Sequence, residues 1–154
     1  MSIHFSAERW ARTKETYRKW WAGKLDRPLV SVTVWGCDAD RPEPKTPGQG
    51  FHSFYPDSVT PEQIVDRWDY DLSRCRFLGD AFPSVWPNFG PGAMAAFVGC
   101  RLENGTNTVW FHPEREQEIA DVKIRFDPDA RWFKRIAGIA KAAVDRWQGS
   151  VQVG

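Results

Sequence analysis

Little in this chain is scarce by accident of size, and the scarcities bound what it can be. Among 154 residues there are only three cysteines, Cys37, Cys75 and Cys100, too few and too scattered for a disulfide framework. No apolar run approaches the ~20 residues of a membrane span, and the opening Met-Ser-Ile-His carries no apolar signal segment, so the expectation is a reduced, cytoplasmic protein with no membrane partner. No charge of one sign dominates: 21 basic and 20 acidic residues are mixed along the chain, and without a basic stripe nucleic acid is not expected as a partner. Internal repeats and low-complexity tracts are missing as well. Aromatic residues are the one excess, with nine tryptophans and ten phenylalanines, enough for one well-anchored core or a pocket for a flat ligand. The length suits a single domain, since domains cluster near ~100–150 residues.

The segment Gly79–Gly99, GDAFPSVWPNFGPGAMAAFVG, carries the most chemistry. An apolar run, Ala81–Trp86, suits a buried strand; Pro87, Asn88 and Phe89 break it, and Gly90-Pro91-Gly92 opens a short helix, Pro91–Val98. Enzymes of the α/β class build sites this way, with a polar side chain at the carboxyl end of a strand and free N–H groups at a helix start facing an anion. No strict catalytic motif accompanies the pattern, and a Pro/Gly connector with Asn88 capping the helix fits the spacing equally.

Elsewhere the periodicity predicts a helix over Ser6–Ala22, capped by Ser6, with Trp10, Lys14, Tyr17 and Trp21 on one face and Gly23 ending it. Asp26-Arg27-Pro28 leads into Leu29–Trp35, a β-branched run with the composition of a buried strand. The Pro/Gly segment Gly36–Asp57 follows, a long loop of the kind used as a lid or a connector, with Cys37, Asp38, Arg41 and His52 as its functional candidates. His52 lacks metal-ligand spacing to any other His or Cys and reads as a solvent-facing loop residue. Thr60-Pro61-Glu62-Gln63 is a capping-box helix start, followed by Ile64, Trp68, Leu72 and Cys75 on one face, which makes Cys75 a core residue. Asp66, Arg67, Asp69, Arg74 and Arg76 lie largely off that stripe and read as a solvated face. Two short strands are expected at Gly105–Pro113 and Asp121–Phe126, with Asn104-Gly105 as a turn and His112 structural. Asp127-Pro128-Asp129 opens a last helix bearing Trp132, Ile136, Ile139, Ala143 and Trp147, ended by Gly149 before Val151–Gly154. The last ~35 residues thus read as strand, helix and strand, a parallel βαβ unit.

The aromatic first helix, Asp26-Arg27-Pro28, GDAFPSVWPNFGPG before AAFVG, NTVWFHP, FDPDARWFKRI and the closing VQVG together resemble the N-terminal half of uroporphyrinogen decarboxylase-like proteins, over nearly the whole chain. The superfamily also contains corrinoid-dependent methyltransferases. The resemblance implies an α/β fold, a partial (β/α)₈ barrel holding about the first three barrel strands, whereas a complete barrel needs ~250 residues. It implies a small-molecule substrate, a tetrapyrrole or other anionic cyclic compound, bound at the carboxyl ends of the strands. An open barrel edge calls for a missing C-terminal half or a homodimer.

Residue by residue, the resemblance places Asn88 where the family's decarboxylases have an essential Asp, giving it the catalytic position. An amide orients a pyrrole N–H but supplies no negative charge, which implies similar binding with different chemistry. The family's arginine-rich turn after the first strand matches Trp35–Asp38, where no arginine occurs before Arg41. Trp35, Asp38, Arg41, Trp86, Phe89, Gly90 and Gly92 are then the expected substrate-binding residues. No cofactor is assigned. The methyltransferase zinc set belongs to the later half of the barrel, and Cys37, Cys75 and Cys100 show no HxC or CxxC spacing, so no metal ligand is assigned either. A non-catalytic half-barrel that binds a ligand or partner, or a remnant, is the alternative outside the enzymes.

Overall fold

The computed structural model describes residues 3–116 and 118–154 as a mixed α/β fold with four α-helices and three two-stranded sheets. Ser6 lies in extended backbone and accepts a hydrogen bond from the Arg9 N–H, starting α1 (Ala7–Trp21) as its cap chemistry dictates. The inner face of α1 is turned from the expected stripe. Trp10, Thr13 and Tyr17 face inward because Phe82 packs against Trp10 and Tyr17, with ring centroids 5.4 and 5.3 Å away. Lys14 instead lies over the Trp10 ring from the solvent side, and Trp21 is 79% exposed.

The β-branched run forms β1 (Ser31–Val34), but it is not a buried strand. It pairs antiparallel with β2 (Arg76–Gly79), which the sequence reading did not separate from the helix before it, in the register Val32↔Leu78 and Thr33↔Phe77. Side chains alternate across a two-stranded ladder, so Phe77 enters the core while Val30, Val32, Val34 and Leu78 remain exposed on the other face. A run of valines here marks a half-covered hairpin-like pair, not an interior strand.

The expected strand at Ala81–Trp86 contracts to β3 (Ser84–Val85), since Pro83 and Pro87 on either side have no N–H for a ladder. Its partner is β6 (Gln152–Val153), parallel, with Gln152 N–H donating to Pro83 O at 3.0 Å and Gly154 N–H to Val85 O at 2.9 Å. The chain between them passes through α3 (Ala93–Phe97), the hairpin β4 (Arg101–Asn104) and β5 (Val109–His112), and α4 (Arg131–Trp147). This corrects the expected βαβ unit: a parallel pair across a helical crossover is present, but its first strand is β3 and not Asp121–Phe126. That latter segment forms no strand, because no neighbouring edge receives it; a short 3₁₀ turn at Ile119–Asp121 precedes extended backbone. The hairpin turn does follow the Asn-Gly signal, closed by Gly105 N–H to Thr108 O at 2.8 Å.

Helix α2 (Pro61–Ser73) carries the full capping box between Thr60 and Gln63, and packs against α4. Ile64, Leu72 and Cys75 are buried as the spacing predicts, with Ile139, Ala143 and Trp147 of α4 opposite. Trp68 joins the two core clusters, one around Leu72, Phe77 and Trp147 and one around Tyr55, Ile64, Phe89 and Ile139. α4 begins later than Asp127-Pro128-Asp129: those residues make a turn in which Asp129 N–H donates to the Asp127 carboxylate, and the helix starts at Arg131. Among the described residues no sheet closes into a barrel, and no helix is long and apolar enough to cross a membrane.

Candidate functional site

At the carboxyl end of β3 the chain turns through Pro87, Asn88 and Phe89 to Gly90, which takes φ +88°. Both ends of the Asn88 amide are used. Its Oδ1 accepts the Gly90 N–H at 3.0 Å, and its Nδ2 donates to Gly50 O at 2.8 Å, tying the Pro/Gly segment to the turn. The backbone carbonyl of Asn88 accepts the His52 N–H at 2.7 Å and faces His52 Nδ1 at 3.2 Å. Asn88 therefore caps its own turn rather than a helix, since α3 begins at Ala93 with Gly92 in the N-cap position and no side-chain cap.

The glycines of the turn answer a packing need. A Cβ on Gly92 would stand 2.5 Å from Phe111 Cδ2, and one on Gly90 3.3 Å from Val109 Cβ, so the β4–β5 hairpin approaches as closely as it does only over bare backbone. Gly90 N–H is already spent on Asn88, and α3 has five residues, so the anion cradle read from the sequence is not free at Gly90.

The remaining expected site residues divide. Trp86, beside Pro87, is 61% exposed, and Trp35 beyond β1 is 68% exposed; no ring contact or hydrogen bond joins them among the described residues. Phe89 is 1% exposed, in contact with Trp132 and His52 inside the core, so it is a core residue and not a wall open to a ligand. Asp38 is exposed. Arg41 is engaged by two carboxylates of α2, Asp66 at 2.8 Å and Asp69 at 3.1 Å, which anchor residues of the Pro/Gly segment onto the helix. Set against family models, curated proteins and solved structures, the chain matches none.

Three side chains acquire roles that sequence reasoning did not give them. His52 is buried, in a 3₁₀ turn, with Trp68 edge-on at 4.8 Å. Burial holds its pKa below the ordinary value despite the Asn88 carbonyl, and with Nδ1–H donating to that carbonyl its Nε2 is left without a partner among the described residues. Flanking Phe51, Phe54 and Tyr55 were the available signal, since an aromatic-rich loop packs itself inward. Asp69 is a buried carboxylate, not a member of a solvated face: Trp147 Nε1 donates to it at 3.0 Å, and Arg41 and Arg146 pair with it. Burial raises its pKa, but the Trp147 bond, the Arg146 charge and the Arg41 bond outweigh that and hold it below the usual carboxylate value. Arg67 likewise bridges Asp71 and Glu43. Cys75 is fully buried, its thiol pushed up to about 11 chiefly by burial, and so is no nucleophile. No group of three or more His, Cys, Asp or Glu side chains among the described residues is arranged to hold a metal ion.

Proposed function

We propose that this chain forms the N-terminal part of a uroporphyrinogen decarboxylase-like (β/α)₈ barrel, with β3 and β6 as adjacent barrel strands and a ligand site at the carboxyl end of β3. The observation that carries the reading is the parallel β3–β6 pair connected through α3 and α4, with Trp86 and Asn88 immediately following the first strand. Parallel neighbours require such a crossover, and in barrels and open sheets alike the ligand lies at the carboxyl ends. The substrate class is a tetrapyrrole or another flat anionic ring. Trp86 supplies an exposed indole to stack on it, and Asn88 orients it by hydrogen bonding, exchanging its bond to Gly50 for one to the ligand.

Two other readings bear on the same site. Corrinoid-dependent methyl transfer on this fold would draw on a zinc–thiolate set that the resemblance places in the later half of the barrel. A non-catalytic binding role is favoured by one observation: the Asn88 amide already has both of its hydrogen-bonding groups satisfied within the chain.

Titration with uroporphyrin, followed by its Soret band and by tryptophan quenching, tests the proposal. Saturable binding that shifts the Soret band, and that weakens in Trp86→Ala but not in Trp21→Ala, supports it. Binding insensitive to Trp86→Ala, or no Soret shift at all, refutes a ring site at the end of β3. With binding established, Asn88→Ala separates orientation of the ligand from its mere retention.

A further inference from the structure

A cavity of about 520 Å³ lies between α1 and the β1–β2 pair. Its α1 wall is Arg9, Arg12, Thr13 and Thr16, positions i, i+3, i+4 and i+7 that share one helix face. Arg27, on the opposite wall, is held by Asp80 through two bonds of 2.6 and 2.7 Å, so that pair is close to neutral, with Asp26 adding a nearby negative charge. The two α1 guanidiniums are not neutralised. Arg9 rests over the Phe5 ring and reaches only the Gly79 carbonyl, at 3.5 Å, while Arg12 makes no hydrogen bond or ion pair among the described residues. Glu15, the carboxylate further along α1, is occupied by Arg18 and Lys19.

The floor of the cavity is apolar. Val30 and Leu78 line it, both exposed, and Val32, paired across from Leu78, extends the same face of the ladder. Two unpaired guanidinium forks beside two threonine hydroxyls suit an oxyanion, which arginine holds through parallel N–H bonds; the valine–leucine strip suits an apolar group attached to it. A concave site with only two free cations, on a chain of net charge +1, does not match a surface that tracks a nucleic-acid backbone.

We propose that this cavity binds an amphipathic anion, its phosphate or carboxylate head on Arg9 and Arg12 and its apolar body over Val30 and Leu78. The proposal stands apart from the barrel reading and survives that reading's failure. Calorimetric titration with phenyl phosphate, benzoate, inorganic phosphate and benzyl alcohol tests it. Phenyl phosphate or benzoate should bind saturably, whichever binds tighter naming the head group, and each more tightly than inorganic phosphate or benzyl alcohol. Arg12→Ala should weaken the aromatic anion by about tenfold or more, Arg12→Lys by less, and Arg18→Ala, outside the cavity, not at all. Circular dichroism confirms that the exposed Arg12 variants remain folded. No binding by either aromatic anion, equal binding by benzyl alcohol, or indifference to Arg12→Ala overturns the proposal.

Discussion

Removing the charge of Asp80 offers a pH-resolved test of how the β1–β2 pair is held. Gly79 takes φ +61° and brings the chain so near β1 that a Cβ there would lie 2.2 Å from Val30 O; Asp80 then returns its N–H to that same carbonyl at 2.7 Å. The Asp80 carboxylate accepts both Arg27 nitrogens and the Val30 N–H, and chiefly the Arg27 bonds hold its pKa at about 2, against an ordinary 3.8. A depressed carboxylate contributes stability that is complete above the unfolded pKa and is lost as pH falls toward the folded one. A difference of nearly two pKa units corresponds to roughly 2.5 kcal/mol, and because half of the Arg27 side chain is in water the expectation is about 1–2 kcal/mol.

Asp80→Asn keeps the shape and removes the charge. Urea unfolding followed by tryptophan fluorescence should find it about 1–2 kcal/mol less stable than the parent at pH 7. The gap should remain full down to about pH 5, fall by about half near pH 3, and close further as pH approaches 2. Subtracting variant from parent at each pH removes the titration of every other carboxylate. A gap that is constant from pH 7 to pH 3, or no gap at pH 7, refutes the assignment of this stability to the ionised pair.

Asp69→Ala should cost about 3–5 kcal/mol in the same urea assay, because it strands the Trp147 N–H and takes a carboxylate from Arg146 and from Arg41, which keeps only Asp66; Asp69→Asn, which retains an oxygen for Trp147, should cost clearly less. Gly92→Ala should cost about 1–3 kcal/mol and lower Tm by several degrees, since the new methyl overlaps the Phe111 ring, and a second change, Phe111→Leu, should recover part of the loss; an unchanged Tm in the single variant would contradict the close packing of hairpin on turn.

Helices were legible from their apolar periodicity, at Thr60–Gln63 with Ile64, Leu72 and Cys75 together with the cap chemistry, and along α4 down to Trp147 by the apolar face alone, the start of α4 being misplaced at Asp127–Asp129. The strands were not, because a strand's burial depends on partners that sequence spacing does not name. Leu29–Trp35 looks interior by composition and is half exposed because only β2 pairs with it, and Asp121–Phe126 alternates correctly yet has no edge to join. Asp121–Phe126 and β3 both offered apolar residues before the last helix; that β3 is the one that receives β6 is a tertiary fact. At the candidate site the turn at Asn88 was legible from its Pro, Asn and Gly residues. The inward turn of His52 and the burial of Asp69 were not, since each is decided by a contact more than thirty residues away, with Asn88 and with Trp147.

Charge is where the candidate ring site and the α1 cavity part company. An anionic ring at the end of β3 needs cations, and the nearest arginine in the sequence reading, Arg41, is committed to Asp66 and Asp69, one of them buried and held ionised by three donors. Taking Arg41 for a ligand would remove one partner from Asp69 and one tie of the Pro/Gly segment to α2, a cost that a surface ligand contact does not readily offset. Asn88 can orient a ring but brings no charge. Two guanidiniums without a carboxylate partner among the described residues stand on α1 instead, at Arg9 and Arg12. A ligand at β3 is thus expected to be held by stacking on Trp86 and by hydrogen bonds, and its affinity should depend little on salt, whereas an anion at the α1 cavity should be released as ionic strength rises. Repeating the uroporphyrin and phenyl phosphate titrations at 0.05 and 0.5 M salt separates the two: a porphyrin affinity that collapses with salt would mean that its carboxylates, not its ring, are what this chain recognises.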